Sequence, residues 1–281
     1  MARLTDNSYG KAAVRITKVV RSGALHEVYE FAVTILLGGA FDAMYTAGDN
    51  ASCVPTDTMK NTVYALGKKH EFDSIEAFAK ILTAHFIDNF SHVAWSSAEI
   101  EQTLWARIPV AGQAHDHAFT KASEAKRTCH VRLERGKPAE ISGGITNLEV
   151  LKTTASGFVG YIKDQYTTLK ETTDRIFATS VNATWKYAKP DADFNAAFAL
   201  AREAILETFA TQHSLAVQQT IFDMGETVLA RVKDIATIEL TMPNQHRLLV
   251  NLEPFGMKNA NEIFVPTDAP FGLIKGTITR D

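Results

Sequence analysis

The sequence predicts an α+β fold in two tandem halves, each ordered ββααββ with antiparallel strands, and three observations predict it. Long stretches alternate apolar and polar residues, the period of strands that bury one face. Between the strand pairs lie segments whose apolar residues recur every three or four positions, the period of amphipathic helices. The same order then occurs twice along 281 residues, a length that suits two domains at the usual prior of about 100–200 residues each. The Gly136-Lys137-Pro138 turn divides the chain into modules 1–137 and 138–281.

In the first half, Ala12, Val14 and Ile16 alternate with Ala13, Arg15 and Thr17, and Tyr29, Phe31, Val33 and Ile35 alternate with Glu30, Ala32 and Thr34. Each run predicts a strand. Gly38-Gly39 breaks the second, and a polar loop passes through Gly48-Asp49-Asn50. A helix is expected over 56–68 with Thr56 as its N-cap. Another is expected over 74–89, where Ile75, Phe78, Leu82 and Phe86 form the stripe and Asp73 or Ser74 supplies the cap. Strands over 95–108 and 119–135 complete the half, with Cys129, Val131 and Leu133 on one face and Thr128, His130 and Arg132 on the other. The second half repeats the order, with strands over 139–154 and 175–187, helices over 194–212 and 215–232, and strands over 235–242 and 247–252. Phe194, Phe198, Ala201, Ile205 and Phe209 stripe the first of these helices, and Val217, Ile221, Met224 and Val228 the second.

Composition narrows the function. Hydrophobic residues make up 46% and charged residues 22%, the balance of a protein with a proper core, and no run approaches the ~18 or more apolar residues of a membrane helix. A net charge of −3, with basic residues spread along the chain, gives no electrostatic reason to bind nucleic acid. Cys53 and Cys129 form no CxxC pair, so free thiols in a reducing compartment are expected. The first residues lack the apolar region of a signal peptide, and the chain ends Thr279-Arg280-Asp281, not Ser-Lys-Leu. A cytoplasmic location is the expectation.

The most informative segment is Leu148-Glu149-Val150-Leu151-Lys152-Thr153-Thr154-Ala155-Ser156-Gly157-Phe158, continuing through Tyr161, Tyr166 and Leu169 to Arg175. An aromatic ring with a guanidinium is what a flat anionic heterocycle needs: the ring stacks, and the planar fork binds its oxygens. That chemistry suggests a purine-like ligand. The segment resembles the signature of the urate oxidase (uricase) family, and the resemblance runs over nearly the whole chain. Its further motifs are Tyr9-Gly10-Lys11, Val54-Pro55-Thr56-Asp57-Thr58-Met59-Lys60-Asn61-Thr62, Val217-Gln218 and Pro243-Asn244-Gln245-His246.

The resemblance implies roles for these residues. Lys11, Thr56, Asn244 and His246 would be catalytic, with His246 orienting the lysine and threonine and Asn244 facing the oxygen site. Thr56, Asp57, Phe158, Arg175, Val217, Gln218 and Asn244 would bind the substrate. The implied reaction is cofactor-free oxidation of urate by O2 and water to 5-hydroxyisourate and hydrogen peroxide. The implied fold is two tunnelling-fold (T-fold) modules per chain, whose sheets assemble into a β-barrel with helices outside, in a homotetramer whose sites lie at subunit interfaces. Family members from eukaryotes commonly end in the peroxisomal signal, so a bacterial source or a trimmed C-terminus is expected. No metal is expected: His115-Asp116-His117 places two histidines on one strand face, but no third ligand with metal-site spacing follows. Two alternatives stay open, another T-fold enzyme acting on a purine or pterin and a non-catalytic urate-binding or sensing protein.

Overall fold

A computed structural model describes residues 2–267 and 269–280. They fall into two compact units, one of residues 1–144 with 186–198 and the other of 145–185 with 199–281.

The first unit contains β1 (Tyr9–Ser22), β2 (Leu25–Gly39), α1 (Asp42–Thr46), α2 (Thr56–Lys69), α3 (Ile75–Asn89), β3 (Val93–Val110) and β4 (Gln113–Glu134). Its strands pair antiparallel in chain order. Val14, Val33, Ile100 and Cys129 lie opposite one another across the four strands, each at most 4% exposed. Directly opposed residues share a sheet face, so this buried row fixes the register, and a one-residue slip would turn it to solvent. Helix α2 packs on β1 and α3 on β3 and β4. Phe78, Leu82 and Phe86 of the α3 stripe are fully buried, with the Phe72 ring stacked on Phe78 at 4.4 Å. The Ser74 side chain caps α3 by accepting from the Ala77 N–H.

A charge pair is enclosed beneath α3. Arg127 of β4 donates to Glu76 at 2.8 Å and to Asn195 at 2.6 Å, and its guanidinium lies over Phe198 at 4.8 Å. Burial pushes the Glu76 carboxyl above the ordinary carboxylate value, and Arg127 opposes the shift.

Three expectations for this unit need correction. Alternation starts at Val14, because Ala12 and Ala13 form a β-bulge between Lys11 and Val14. The N-cap of α2 is Pro55, and Thr56 is the first helical residue. The expected order omits helix α1, which lies ahead of the Gly48-Asp49-Asn50 loop.

The second unit takes up the chain within β5 (Glu140–Lys152), leaves it near the end of β6 (Phe177–Tyr187), resumes within α4 (Phe194–Thr211), and continues through α5 (Val217–Arg231), β7 (Ile235–Asn244), β8 (Arg247–Leu249), β9 (Phe264–Pro266) and β10 (Gly272–Thr279). Its main sheet has the order β5-β6-β7-β10, and α5 packs on β7 and β10. The contact between α5 and β10 is reciprocal. A Cβ on Gly225 of α5 would lie 2.6 Å from the Ile278 side chain, and one on Gly276 of β10 would lie 2.6 Å from Ile221. Each isoleucine therefore seats where the opposite element has no side chain.

The last strand differs from the expectation. Residues 247–252 do not pair with β7; Arg247–Leu249 form a two-stranded ribbon with Phe264–Pro266, leaving Leu248 and Leu249 exposed. The outer partner of β7, opposite β6, is Gly272–Thr279, where Gly276 interrupts the apolar alternation of Ile274 and Ile278. Among the described residues, β1 pairs only with β2 and β10 only with β7. No helix among them is long and apolar enough to cross a membrane.

Candidate functional site

In the first unit, the bulge decides where Lys11 points. Lys11 lies opposite Ile35, which in turn opposes Ala98, and Ala98 opposes Val131. These three partners are 0% exposed, so Lys11 ends a core row and shares its face. Lys11 and Val14 are three positions apart, an odd number that would put them on opposite faces of a regular strand. The extra residue of the bulge restores Lys11 to the core face. Ala13 completes the bulge at φ 54°, its N–H donating to the Thr34 hydroxyl at 3.2 Å.

Thr56 and Asp57 open α2. The first helical bond runs from the Met59 N–H to the Pro55 carbonyl at 3.1 Å, so the amides of Thr56, Asp57 and Thr58 precede the helical ladder. Those N–H groups, at the positive end of the helix, suit an anionic ligand. The Asp57 carboxylate accepts from Lys60 and Asn61. The Lys60 bond does most to hold its pKa below the ordinary value, and the Asn61 bond and the Lys11 charge add to the effect. The Tyr9 hydroxyl accepts from the Val54 N–H at 2.7 Å and donates to the Val54 carbonyl at 3.1 Å, tying the start of β1 to the start of α2.

In the second unit, β5 ends at Lys152 and the chain turns through Ala155, at φ 58°, into the Phe158 segment. Backbone bonds hold this turn. Gly157 donates to the Ser214 carbonyl at 2.8 Å, Ser214 to Ala155 at 2.9 Å, and Arg175 to Ser156 at 2.8 Å. Phe158 and Thr172 bond reciprocally at 2.8 and 3.2 Å. The result sets the Arg175 guanidinium 5.5 Å from the centre of the Phe158 ring, with Tyr161 stacked on that ring at 4.9 Å. Burial pulls the Arg175 pKa down from its ordinary value. Ser214 also leads into α5 at Val217-Gln218, with Val217 6% exposed and Gln218 exposed on the first turn. Asn244 ends β7 opposite Gly272, and the Gln245 N–H donates to the Ala178 carbonyl at 2.9 Å. That bond brings the Asn244-Gln245-His246 turn to the start of β6, close in sequence to Arg175.

Lys11, Thr56 and Asp57 thus gather in the first unit, and Phe158, Arg175, Val217, Gln218, Asn244 and His246 belong to the second. Sequence reasoning gave no role to Tyr9, Ser214 or Lys152. The Lys152 ammonium donates to the Gln212 carbonyl at 2.6 Å, close to Phe209 and Phe177, and burial lowers its pKa. A cavity of about 1100 Å³, lined by Lys18, Tyr29, Tyr64, His70 and Phe72, contains none of the assigned residues. His115-Asp116-His117 lies near the β3–β4 turn, where Arg107 donates to the carbonyls of His115 and Asp116. Among the described residues, no three His, Cys, Asp or Glu side chains cluster as a metal site, and both cysteines are free thiols.

The sequence profile of the uricase family matches residues 7–132 and 141–275. A uricase of Arthrobacter globiformis is 45% identical over 278 residues, spanning 99% of this chain and 90% of the relative. A uricase of Oryctolagus cuniculus is 38% identical, spanning 97% of this chain and 93% of its own length. The crystal structure of the Arthrobacter globiformis uricase superposes with a TM-score of 0.95 at 44% identity, over 100% of this chain and 96% of that one. A uricase structure from Bacillus fastidious gives 0.86 at 25% identity, over 99% and 94%.

Proposed function

This chain belongs to the uricase family and is a urate oxidase, and from that premise we propose how its own residues carry the reaction. Urate lies flat against Phe158, with Arg175 and Gln218 gripping its pyrimidine edge and the Val217 N–H donating to a carbonyl oxygen. The amides and side chains of Thr56 and Asp57 meet the imidazole edge. Urate is already an anion, so what remains is to raise its electron density enough to reduce dioxygen. A Thr56–Lys11–His246 relay removes a second proton, general-base work performed on a substrate held in place. Two electrons pass to dioxygen, which is bound near Asn244, and water supplies the hydroxyl of 5-hydroxyisourate while the reduced oxygen leaves as hydrogen peroxide. In this proposal no metal or flavin takes part.

The observations that carry the reading are the Tyr9–Val54 bonds that tie the Lys11 strand to the start of the Thr56 helix on one side, and the setting of Arg175 against Phe158 on the other. We further propose that the two groups meet across subunits of a cytoplasmic homotetramer, built from T-fold modules 1–137 and 138–281 whose sheets close into a barrel. The open edges of β1 and β10 support assembly, since unpaired strand edges favour pairing with another chain. So does the apolar surface on the 159–169 loop, where Ile162 is 96% and Tyr166 80% exposed.

The test is oxygen uptake and peroxide release by chelator-treated protein given urate, with metal and flavin assayed on the same sample. Uptake matched by peroxide without either group supports the mechanism. Turnover that needs added metal or flavin overturns it. Tight urate binding without uptake would return the chain to the sensing alternative.

A further inference from the structure

We infer that Tyr9 is a positioning residue for urate oxidation, its hydroxyl holding the Lys11 strand against the start of the Thr56 helix. The inference rests on the reading of Lys11 and Thr56 as the proton relay. One hydroxyl satisfies both hydrogen-bonding groups of Val54, accepting from its N–H at 2.7 Å and donating to its carbonyl at 3.1 Å, across 45 positions of sequence. Little slack lies on either side of that bond. Between Val54 and Thr56 stands only Pro55, whose ring fixes φ, here −57°. Between Tyr9 and Lys11 stands only Gly10, packed so tightly that a Cβ there would lie 1.7 Å from the Ile35 carbonyl oxygen. A displacement of the hydroxyl is therefore passed on to both Lys11 and Thr56.

The ring is seated as firmly as the hydroxyl. Tyr9 meets Phe41 edge-on at 4.9 Å, and Phe41 is 0% exposed. The Tyr45 hydroxyl holds the Ser8 carbonyl at 3.0 Å, so α1 fixes the residue before Tyr9. Burial pushes the Tyr9 pKa up to about 12, which keeps the hydroxyl protonated and able to donate. Tyr9 is assigned no contact with urate: it acts through Lys11 and Thr56.

Tyr9→Phe keeps the ring and removes one oxygen. The expected result is a fall in kcat of about tenfold or more, while the urate KM and the Kd of xanthine, used as a non-oxidised mimic, stay within about twofold. Because the hydroxyl acts through the relay, Tyr9→Phe should add little further loss to Thr56→Ala. An unchanged kcat, equal losses in kcat and xanthine binding, or a fully additive loss on Thr56→Ala would each overturn the inference. Lys11→Met, measured alongside, separates the two levels. Full turnover by Lys11→Met removes the relay reading and this inference with it, whereas inactive Lys11→Met beside fully active Tyr9→Phe removes the inference alone. Should Tyr9→Phe fail to fold, Phe41→Leu leaves the hydroxyl in place but loosens its seat. It should show the same selective loss of kcat in smaller measure, and an unchanged kcat there would also overturn the inference.

Discussion

Around Lys11 and Thr56 the chain is fixed by side chains from distant positions, the Tyr9 hydroxyl on Val54 and the Tyr45 hydroxyl on Ser8. Around Phe158 and Arg175 the backbone does the fixing, through amides and carbonyls of Ala155, Ser156, Gly157, Thr172, Arg175 and Ser214. The difference suits the work asked of each group. In the proposed reaction the relay moves protons between side chains, and a tyrosine clamp would align them while leaving the Thr56 and Asp57 amides free for the ligand. In the same proposal the aromatic and guanidinium hold a rigid plane, and a backbone mesh would give a plane that few substitutions disturb. It follows that single side-chain changes should damage the first region more than the second, unless they remove a ligand-binding group itself.

The largest effect is expected from the chemical groups. Lys11→Met should lower kcat by about 10²–10⁴-fold with urate binding kept. Arg175→Ala should instead weaken urate binding by about 1.5–3 kcal/mol, the value of a charged hydrogen bond, in a calorimetric titration. Parallel, small losses in both variants would mean that these residues are not the pocket.

The next effect lies in the scaffold of the first unit. Glu76→Leu leaves Arg127 buried without its carboxylate, and should destabilise the protein by about 3–5 kcal/mol in denaturant titration. Hydrogen exchange should accelerate in α3 and β4 before it does in the Phe158 segment; a uniform acceleration would erase the contrast. Ser214→Ala probes the other side. It removes a hydroxyl that accepts from Thr220 at 2.8 Å but leaves the backbone bridge to Ala155 and Gly157. A loss near 1 kcal/mol of stability is expected, with kcat/KM within about twofold of the unmodified enzyme.

The smallest effect is a titration. The Thr154 hydroxyl bond, with backbone amides of the same turn, holds Asp174 below its ordinary pKa of 3.8. A depressed carboxylate contributes stability above the unfolded-state value and loses it as pH falls through the lower folded value. The Ser156 and Arg175 amide resonances should therefore move below pH 3.8 and stay fixed in Asp174→Asn. Movement at the same pH in both proteins would assign it to another group.

Much of this was legible in the sequence, because β2, α3 and α5 carry clean periods and their buried faces follow them. The bulge at Ala12-Ala13 was not, since two alanines fit any pattern, and a period of two counted back from Val14 turns Lys11 to the wrong face. β10 was hidden because Gly276 stands where the pattern wants an apolar side chain, and the reason is Ile221 on another element. Leu248 and Leu249 signal a strand and form one, β8, but it pairs with β9 and leaves their apolar side chains exposed. For the site, the resemblance to the uricase family named the residues expected to touch urate. It could not name Tyr9 or Ser214 as supports, because their partners are set by the folded chain.

In the proposed tetramer, one catalytic site draws Lys11 and Thr56 from one chain and Phe158, Arg175 and His246 from another. The most direct measurement mixes Lys11→Met and Arg175→Ala subunits, dissociates and reassembles them, and assays urate oxidation. Recovery of activity that neither variant shows alone is the predicted result, since some reassembled sites then pair an intact relay with an intact pocket. A mixture as inactive as its parents, with mixed tetramers demonstrated, would contradict the claim.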